Sequence, residues 1–311
     1  MGTTAKLSAY GAALALLVAG GWATGTAVGP LVAAPVAAQE DAHGGTVAEH
    51  AAPTGGTAAE PAGRTSAATS DLPGGLASSA NGYTLVPAGA PGGGFSFTVT
   101  GPDGTPVTAF DVEHEKRMHL VVVRRDTTGY QHVHPGMAPD GTWTVPLALT
   151  GGGSWRAFAD FHPTGGAATV LGADLAVPGA FEPVAHAPSR TAQVDGYTVE
   201  LTGDLVPGRS SPVTLTVSRA GAPVTDLQPY LGARGHLVAL REGDLAYLHV
   251  HPEDGDGAGV PFVAEVPSAG TYRLFLDFRH GDVVRTAEFT VPTAGPGAPV
   301  AAPHTADGHG H

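Results

Sequence analysis

The chain reads as all-β, two tandem β-sandwich domains of one kind, and three observations lead there. First, a block of sequence recurs at an offset of 117 residues. Met118-His119-Leu120-Val121-Val122-Val123 returns as Gly235-His236-Leu237-Val238-Ala239-Leu240, and Tyr130-Gln131-His132-Val133-His134-Pro135 as Tyr247-Leu248-His249-Val250-His251-Pro252. The same offset relates Gly104-x-Pro106-Val107-Thr108 to Gly221-x-Pro223-Val224-Thr225, and Arg156-x-Phe158-x-Asp160-Phe161 to Arg273-x-Phe275-x-Asp277-Phe278. Second, 46 glycines and 27 prolines beside 6% aromatic residues suit short strands joined by turns. Third, strand-like runs alternate with turn clusters such as Pro102-Asp103-Gly104 and Pro139-Asp140-Gly141, and no amphipathic helix of useful length appears in either copy.

Along the chain, Lys6 precedes an uncharged run over 7–38, and Glu40 and Asp41 follow it. Residues 1–38 are thus either a transmembrane anchor or a signal peptide cleaved after Val36-x-Ala38. In both cases the charge order puts the bulk of the protein outside the cytoplasm. Residues 39–81 are Ala, Gly, Thr, Pro and Glu with almost no large apolar side chain, which reads as a disordered tether. The first domain is expected over 82–178, with strands at 94–99, 110–112, 119–124, 130–134, 142–147, 154–161 and 168–177. About seven strands in one such stretch suggest a sandwich of immunoglobulin-like type. A linker, 179–191, leads to the second domain, 192–292, whose strands are expected at 198–202, 212–218, 236–240, 246–251, 261–266, 270–278 and 283–291. Residues 293–311 form a low-complexity, histidine-containing tail.

A net charge of −13 argues against nucleic acid as a partner, because a phosphate-binding face needs clustered Lys and Arg. The absence of cysteine removes disulfides, thiolate metal sites and a Cys nucleophile. No Ser–His–Asp order or paired-carboxylate pocket is evident, so the chain is expected not to be an enzyme.

The repeated histidines are the candidate chemistry. In the second copy, Glu242-Gly243 reads as a two-residue hairpin turn, which sets His236 opposite His249 and Tyr247 opposite Val238. Alternation along a strand then places His236, His249 and His251 on one face. The first copy has the same spacing in His119, His132 and His134, although a three-residue loop within Asp126-Thr127-Thr128-Gly129 would reverse the face of His119. Asp160 and Asp277 are candidate fourth partners, as ligands or as holders of a ligand histidine. Each could equally form a salt bridge to Arg156 or Arg273 in its own strand. Imidazole with carboxylate and no thiolate suits copper(II), with zinc the alternative. Met118 and Met137 could add soft ligands for copper(I), and His114 and His162 make the first copy the richer one. His43, His50, His304, His309 and His311 could scavenge metal weakly.

The His-Leu-Val-Val-Val, His-Val-His-Pro and Arg-x-Phe-x-Asp-Phe signature resembles actinobacterial membrane-anchored envelope proteins with tandem Ig-like domains of the YtkA-like and CopC type. That resemblance implies extracytoplasmic modules concerned with copper. His-Val-His on a strand is also similar to Cu/Zn superoxide dismutase, whose disulfide this chain cannot form. The leading expectation is a non-catalytic, membrane-tethered copper-binding protein acting in metal buffering or transfer. The alternative is a structural or interaction module of the cell envelope whose histidines are a packing and hydrogen-bond motif.

Overall fold

The run from His119 to Val123 carries no apolar–polar alternation, a pattern that calls for cover on both faces of the strand. The computed structural model, which describes residues 72–89, 94–248, 250–255 and 257–295, supplies that cover. His119, Leu120, Val121, Val122 and Val123 are all buried. One face lies in a domain core and the other against the second domain.

The first domain holds β1 (Ser79–Ala80), β2 (Tyr83–Gly89), β3 (Gly94–Thr100), β4 (His119–Arg124), β5 (Gln131–Val133), β6 (Gly136–Met137), β7 (Trp143–Pro146), β8 (Gly153–Phe161) and β9 (Thr169–Val177). They form two antiparallel sheets, ordered β1-β2-β3-β7-β6 and β5-β4-β8-β9. The second domain holds β10 (Thr191–Val194), β11 (Tyr197–Thr202), β12 (Arg209–Arg219), β13 (Ala222–Pro223), β14 (His236–Arg241) and β15 (Tyr247–Leu248). It continues with β16 (Val250–Pro252), β17 (Gly259–Val266), β18 (Thr271–His280) and β19 (Val283–Pro292). Its sheets run β10-β11-β12-β17-β16, with β13 beside β12, and β15-β14-β18-β19. The all-β, tandem-sandwich expectation therefore holds.

Several elements differ from the sequence reading. Strand β2 has no counterpart in it, because Pro87 and Gly89 interrupt the run. The structure absorbs them with a register shift between those residues, beyond the end of the two-residue β1. The expected strand at 110–112 is reduced to a bridge between Phe110 and Pro163. The expected single strand at 130–134 splits: β5 pairs with β4 while β6 pairs with β7 in the opposite sheet, with His134-Pro135 at the crossing. Residues 72–78, expected in the tether, pack on the folded unit: the Gly75 amide donates to the Val170 carbonyl and the Tyr247 amide donates to the Gly74 carbonyl. At the other end, Thr293 and Ala294 donate to the carbonyls of Gly270 and Leu205. The expected anchor at 1–38, the tether up to 71 and the tail from 296 lie outside the described residues. Among the described residues no helix is long and apolar enough to cross a membrane.

The repeated signature builds the contact between the domains. In β8, Trp155, Ala157 and Ala159 enter the first core, whereas Phe158 faces outward with Val121 and Val123 of β4. In β18, Tyr272, Leu274 and Leu276 enter the second core, whereas Phe275 faces outward with Val238 and Leu240 of β14. These outward faces join in one buried cluster with Leu245 and Tyr247. The contact is exchanged as in a two-fold dimer, where residue i meets j and j meets i. Tyr130 stacks on Phe275 with centroids 4.0 Å apart, and its counterpart Tyr247 lies 5.7 Å from Phe158, the counterpart of Phe275. The wider second pair has Gly75 beside it. This glycine has φ of +73°, and a Cβ there would stand 2.4 Å from the Phe158 ring.

If the domains share one core, Tyr130 and Phe275 must be energetically coupled. A double-mutant cycle with Tyr130→Leu and Phe275→Leu, read by urea unfolding, should give a coupling of about 0.5–1.5 kcal/mol. Strict additivity would show that the two domains do not pack through these rings.

Candidate metal centre

Hairpin geometry decides which way the histidines face. Each connecting loop has four residues, 125–128 and 242–245, rather than the two expected between β14 and β15. An aspartate holds each loop: Asp126 accepts from the Arg124 side chain and the Thr128 amide, and Asp244 from the Arg241 side chain and the Ala246 amide. The longer loop moves the β14 pairing to Ala239 with Leu248 and Leu240 with Tyr247, so the expected facing of Val238 with Tyr247 is replaced. The displacement is an even number of residues, which leaves Tyr247 on its expected face. In the first domain Val121 pairs with His132, so His132 and His119 share the outward face.

Three histidines converge there. One ring nitrogen from each of His119, His132 and His134 lies within 4.8 Å of the others. His119 Nδ1 and His132 Nε2 are 3.1 Å apart, close to the roughly 3.3 Å separation that zinc bonds of 2.0–2.1 Å impose in a tetrahedron. The other nitrogen of each ring has an acceptor. His119 Nε2 donates to the Glu113 carbonyl at 3.1 Å and His132 Nδ1 to the Asp277 carboxylate at 2.8 Å. Those bonds fix the tautomers so that the two lone pairs point at one another, an arrangement that a cation or a proton between them must complete. His134 Nε2 is buried with no hydrogen-bond partner. This donor set fits a borderline transition-metal ion.

The remaining expected ligands are placed differently. His249 lies outside the described residues. His251 sits on β16, paired with Val263 in the sheet opposite the one that carries His236, and it is exposed. His236 instead meets the first-domain histidines: its ring lies 5.5 Å from His119 and 4.7 Å from His132. His114 is 6.1 Å from His119 and 5.8 Å from His236. His162 is tied to Glu113 and the Gly166 carbonyl. Met118 points into the first core, on the opposite face of its strand from His119, and Met137 packs on the same core.

Neither aspartate serves its own domain's histidines, and neither pairs with the arginine of its own strand. Asp277 holds His132 of the first domain and accepts from Thr286 at 2.6 Å. Asp160 is half-buried, and its carboxyl interacts with the Tyr247 hydroxyl of the second domain. Arg156 is taken by Asp174 and the Gly75 and Leu76 carbonyls, and Arg273 by Glu288, Thr290 and Thr127. The Glu113 carbonyl and the cross-domain role of Asp277 have no signal within a single copy of the repeat.

Fold and site together define a tandem Ig-like β-sandwich protein with a histidine cluster between its domains. The chain belongs to the family whose model is described as a domain of unknown function (DUF8832), which matches it twice, at 83–177 and 192–295. No curated protein matches. Among solved structures, the chain is similar to FdeC, an Escherichia coli adhesin, at 16% identity and a TM-score of 0.23, covering 70% of this chain and 65% of that one. It is similar to invasin, a bacterial integrin-binding protein, at 14% identity and a TM-score of 0.20, covering 67% and 39%. A Corynebacterium diphtheriae protein named as membrane anchored matches at 12% identity and a TM-score of 0.20, covering 70% and 60%. The chain thus spans less than two thirds of each of these, and scores this low do not bear on function.

Burial dominates the electrostatics of the cluster. It pushes the imidazole of His119 down to about 4 and that of His134 to about 3, with neighbouring histidines adding to both shifts. His236 is held well below its ordinary value by the same two causes. Burial also raises the Asp160 carboxyl to about 6, helped by Glu113. Between about pH 4 and 6.5 the unfolded chain therefore binds protons at these imidazoles that the native state refuses, so stability falls as pH drops through that window. Asp160 acts in the opposite sense, since the native carboxyl holds a proton up to about pH 6 that the unfolded one releases near 3.8. One carboxyl only partly offsets three imidazoles. Urea unfolding of metal-free protein should show a net loss from pH 7 to pH 4, with ~3 kcal/mol from His119 alone. Constant stability across that range would contradict the burial of neutral imidazoles.

Proposed function

We propose that the chain is a non-catalytic, extracytoplasmic module that holds a transition-metal ion, copper(II) with zinc as the alternative, on His119, His132 and His134. One observation carries this reading: two imidazoles are pinned by the Glu113 carbonyl and the Asp277 carboxylate with their free nitrogens 3.1 Å apart, beside the unpartnered Nε2 of His134. The charge order at the N-terminus supports tethering to, or export across, a membrane. The repeated signature supports kinship with YtkA-like and CopC-type modules and a role in metal buffering or transfer.

A second reading has its own support. A proton on His132 would close the same hydrogen-bond chain from Glu113 to Asp277, and the rings stack closely. On that reading the cluster is a polar packing motif of an envelope interaction module. Elemental analysis separates the two, using the full chain with Ala at His43, His50, His304, His309 and His311. The metal reading expects copper or zinc near one equivalent, and an affinity at least tenfold weaker in His134→Ala, on the order seen when a site loses a supporting group. Metal content near zero, unchanged by His132→Ala, leaves the packing motif.

A further inference from the structure

The sequence suggests two sites, one per copy, but the packing brings the equivalent histidines of both copies to one place. His119 and His236 occupy matching positions in the repeat, and their rings lie parallel, 2° apart in plane and 5.5 Å between centroids. The near-two-fold axis that exchanges Tyr130 and Phe275 with Tyr247 and Phe158 therefore passes beside this pair. We propose that a single ion sits near this axis, bound by His119, His132 and His134 of the first domain and by His236 of the second, and so ties the two domains together.

Ring spacing fits the three first-domain histidines and brings His236 beside two of them, His119 and His132. Imidazoles bound tetrahedrally at 2.0–2.1 Å put their ring centres roughly 5 Å apart. Here the centroid separations are 5.4 Å for His119 and His132, 5.1 Å for His119 and His134, and 4.9 Å for His132 and His134. His236 adds 5.5 Å to His119 and 4.7 Å to His132. No hydrogen bond to another described residue holds the His236 ring, so a rotation about its own side-chain bonds is the motion that ligation requires. His251 lies on β16 in the other sheet and borders the same cavity as His236. A cavity of about 400 Å³ borders His114, His119 and His236 and gives the cluster a route to solvent.

This inference rests on the proposed metal function, and the test keeps the two apart. Cu(II) alone is titrated against a competing chelator into the full chain with the same five Ala replacements, and into that chain with His236→Phe or His236→Gln. Phe keeps the ring packing and removes the nitrogens; Gln keeps polarity. Electron spin-echo spectroscopy counts the bound imidazoles. The expected result is one ion per chain, an affinity at least tenfold weaker in both variants, and one imidazole fewer. If the parent chain binds no ion, both proposals fall. If it binds one ion and the variants match it in affinity and imidazole count, the shared site is overturned while the three-histidine site stands. Two equivalent ions per chain would also overturn it.

Discussion

Everything in this molecule depends on one constraint: the sheet that carries the histidines is apolar on both faces. Strand β4 buries Leu120 and Val122 in its own domain and leaves Val121 and Val123 to be covered from outside. Strand β14 has the same need, with Leu237 and Ala239 inside and Val238 and Leu240 outside. Because the copies are related, the cheapest cover for one outward face is the other. Burying such a surface against water instead of leaving it exposed is worth on the order of 25 cal/mol for each Å² of apolar area. Once the faces meet, the polar ends of the same strands are carried into the seam with them.

This explains why one signature holds both packing and polar residues. In Arg-x-Phe-x-Asp-Phe, Phe158 and Phe275 form the shared core, while the terminal Phe161 and Phe278 fill their own domains. Asp160 and Asp277 follow on the outward face and reach across the seam, to Tyr247 and His132 respectively. An unpaired buried carboxylate or imidazole is costly, and His119 and His132 accordingly find partners in the Glu113 carbonyl and the Asp277 carboxylate, whereas His134 Nε2 and the Tyr130 hydroxyl stay unpartnered. The resulting cluster of imidazoles is the place proposed to take a cation.

Much of this was legible in the sequence. The all-β class and the duplication follow from the 117-residue offset and from period-two alternation. The shared face of His119 and His132 depended on the length of the first loop, whose four residues preserve it, while His251 of the second copy lies in the other sheet. What one copy could not reveal was its partner. Nothing in the spacing of Asp277 from His236 says that its carboxylate belongs to His132, 145 positions away. Nor does the composition of residues 72–78 show that Gly74 and Gly75 thread beside Phe158 and Tyr247, since that fit depends on the absence of side chains. Long-range partners are set by packing, and packing leaves only indirect marks on local pattern.

The central claim is that a group in the second domain shapes the ion site proposed in the first. Asp277→Asn tests it most directly, because the change keeps side-chain size and an acceptor for His132 Nδ1–H while removing the negative charge beside that ring. Measured by chelator competition with Cu(II) on the full chain, the account expects binding about 10–100-fold weaker than wild type. Equal affinity in the two proteins would contradict it.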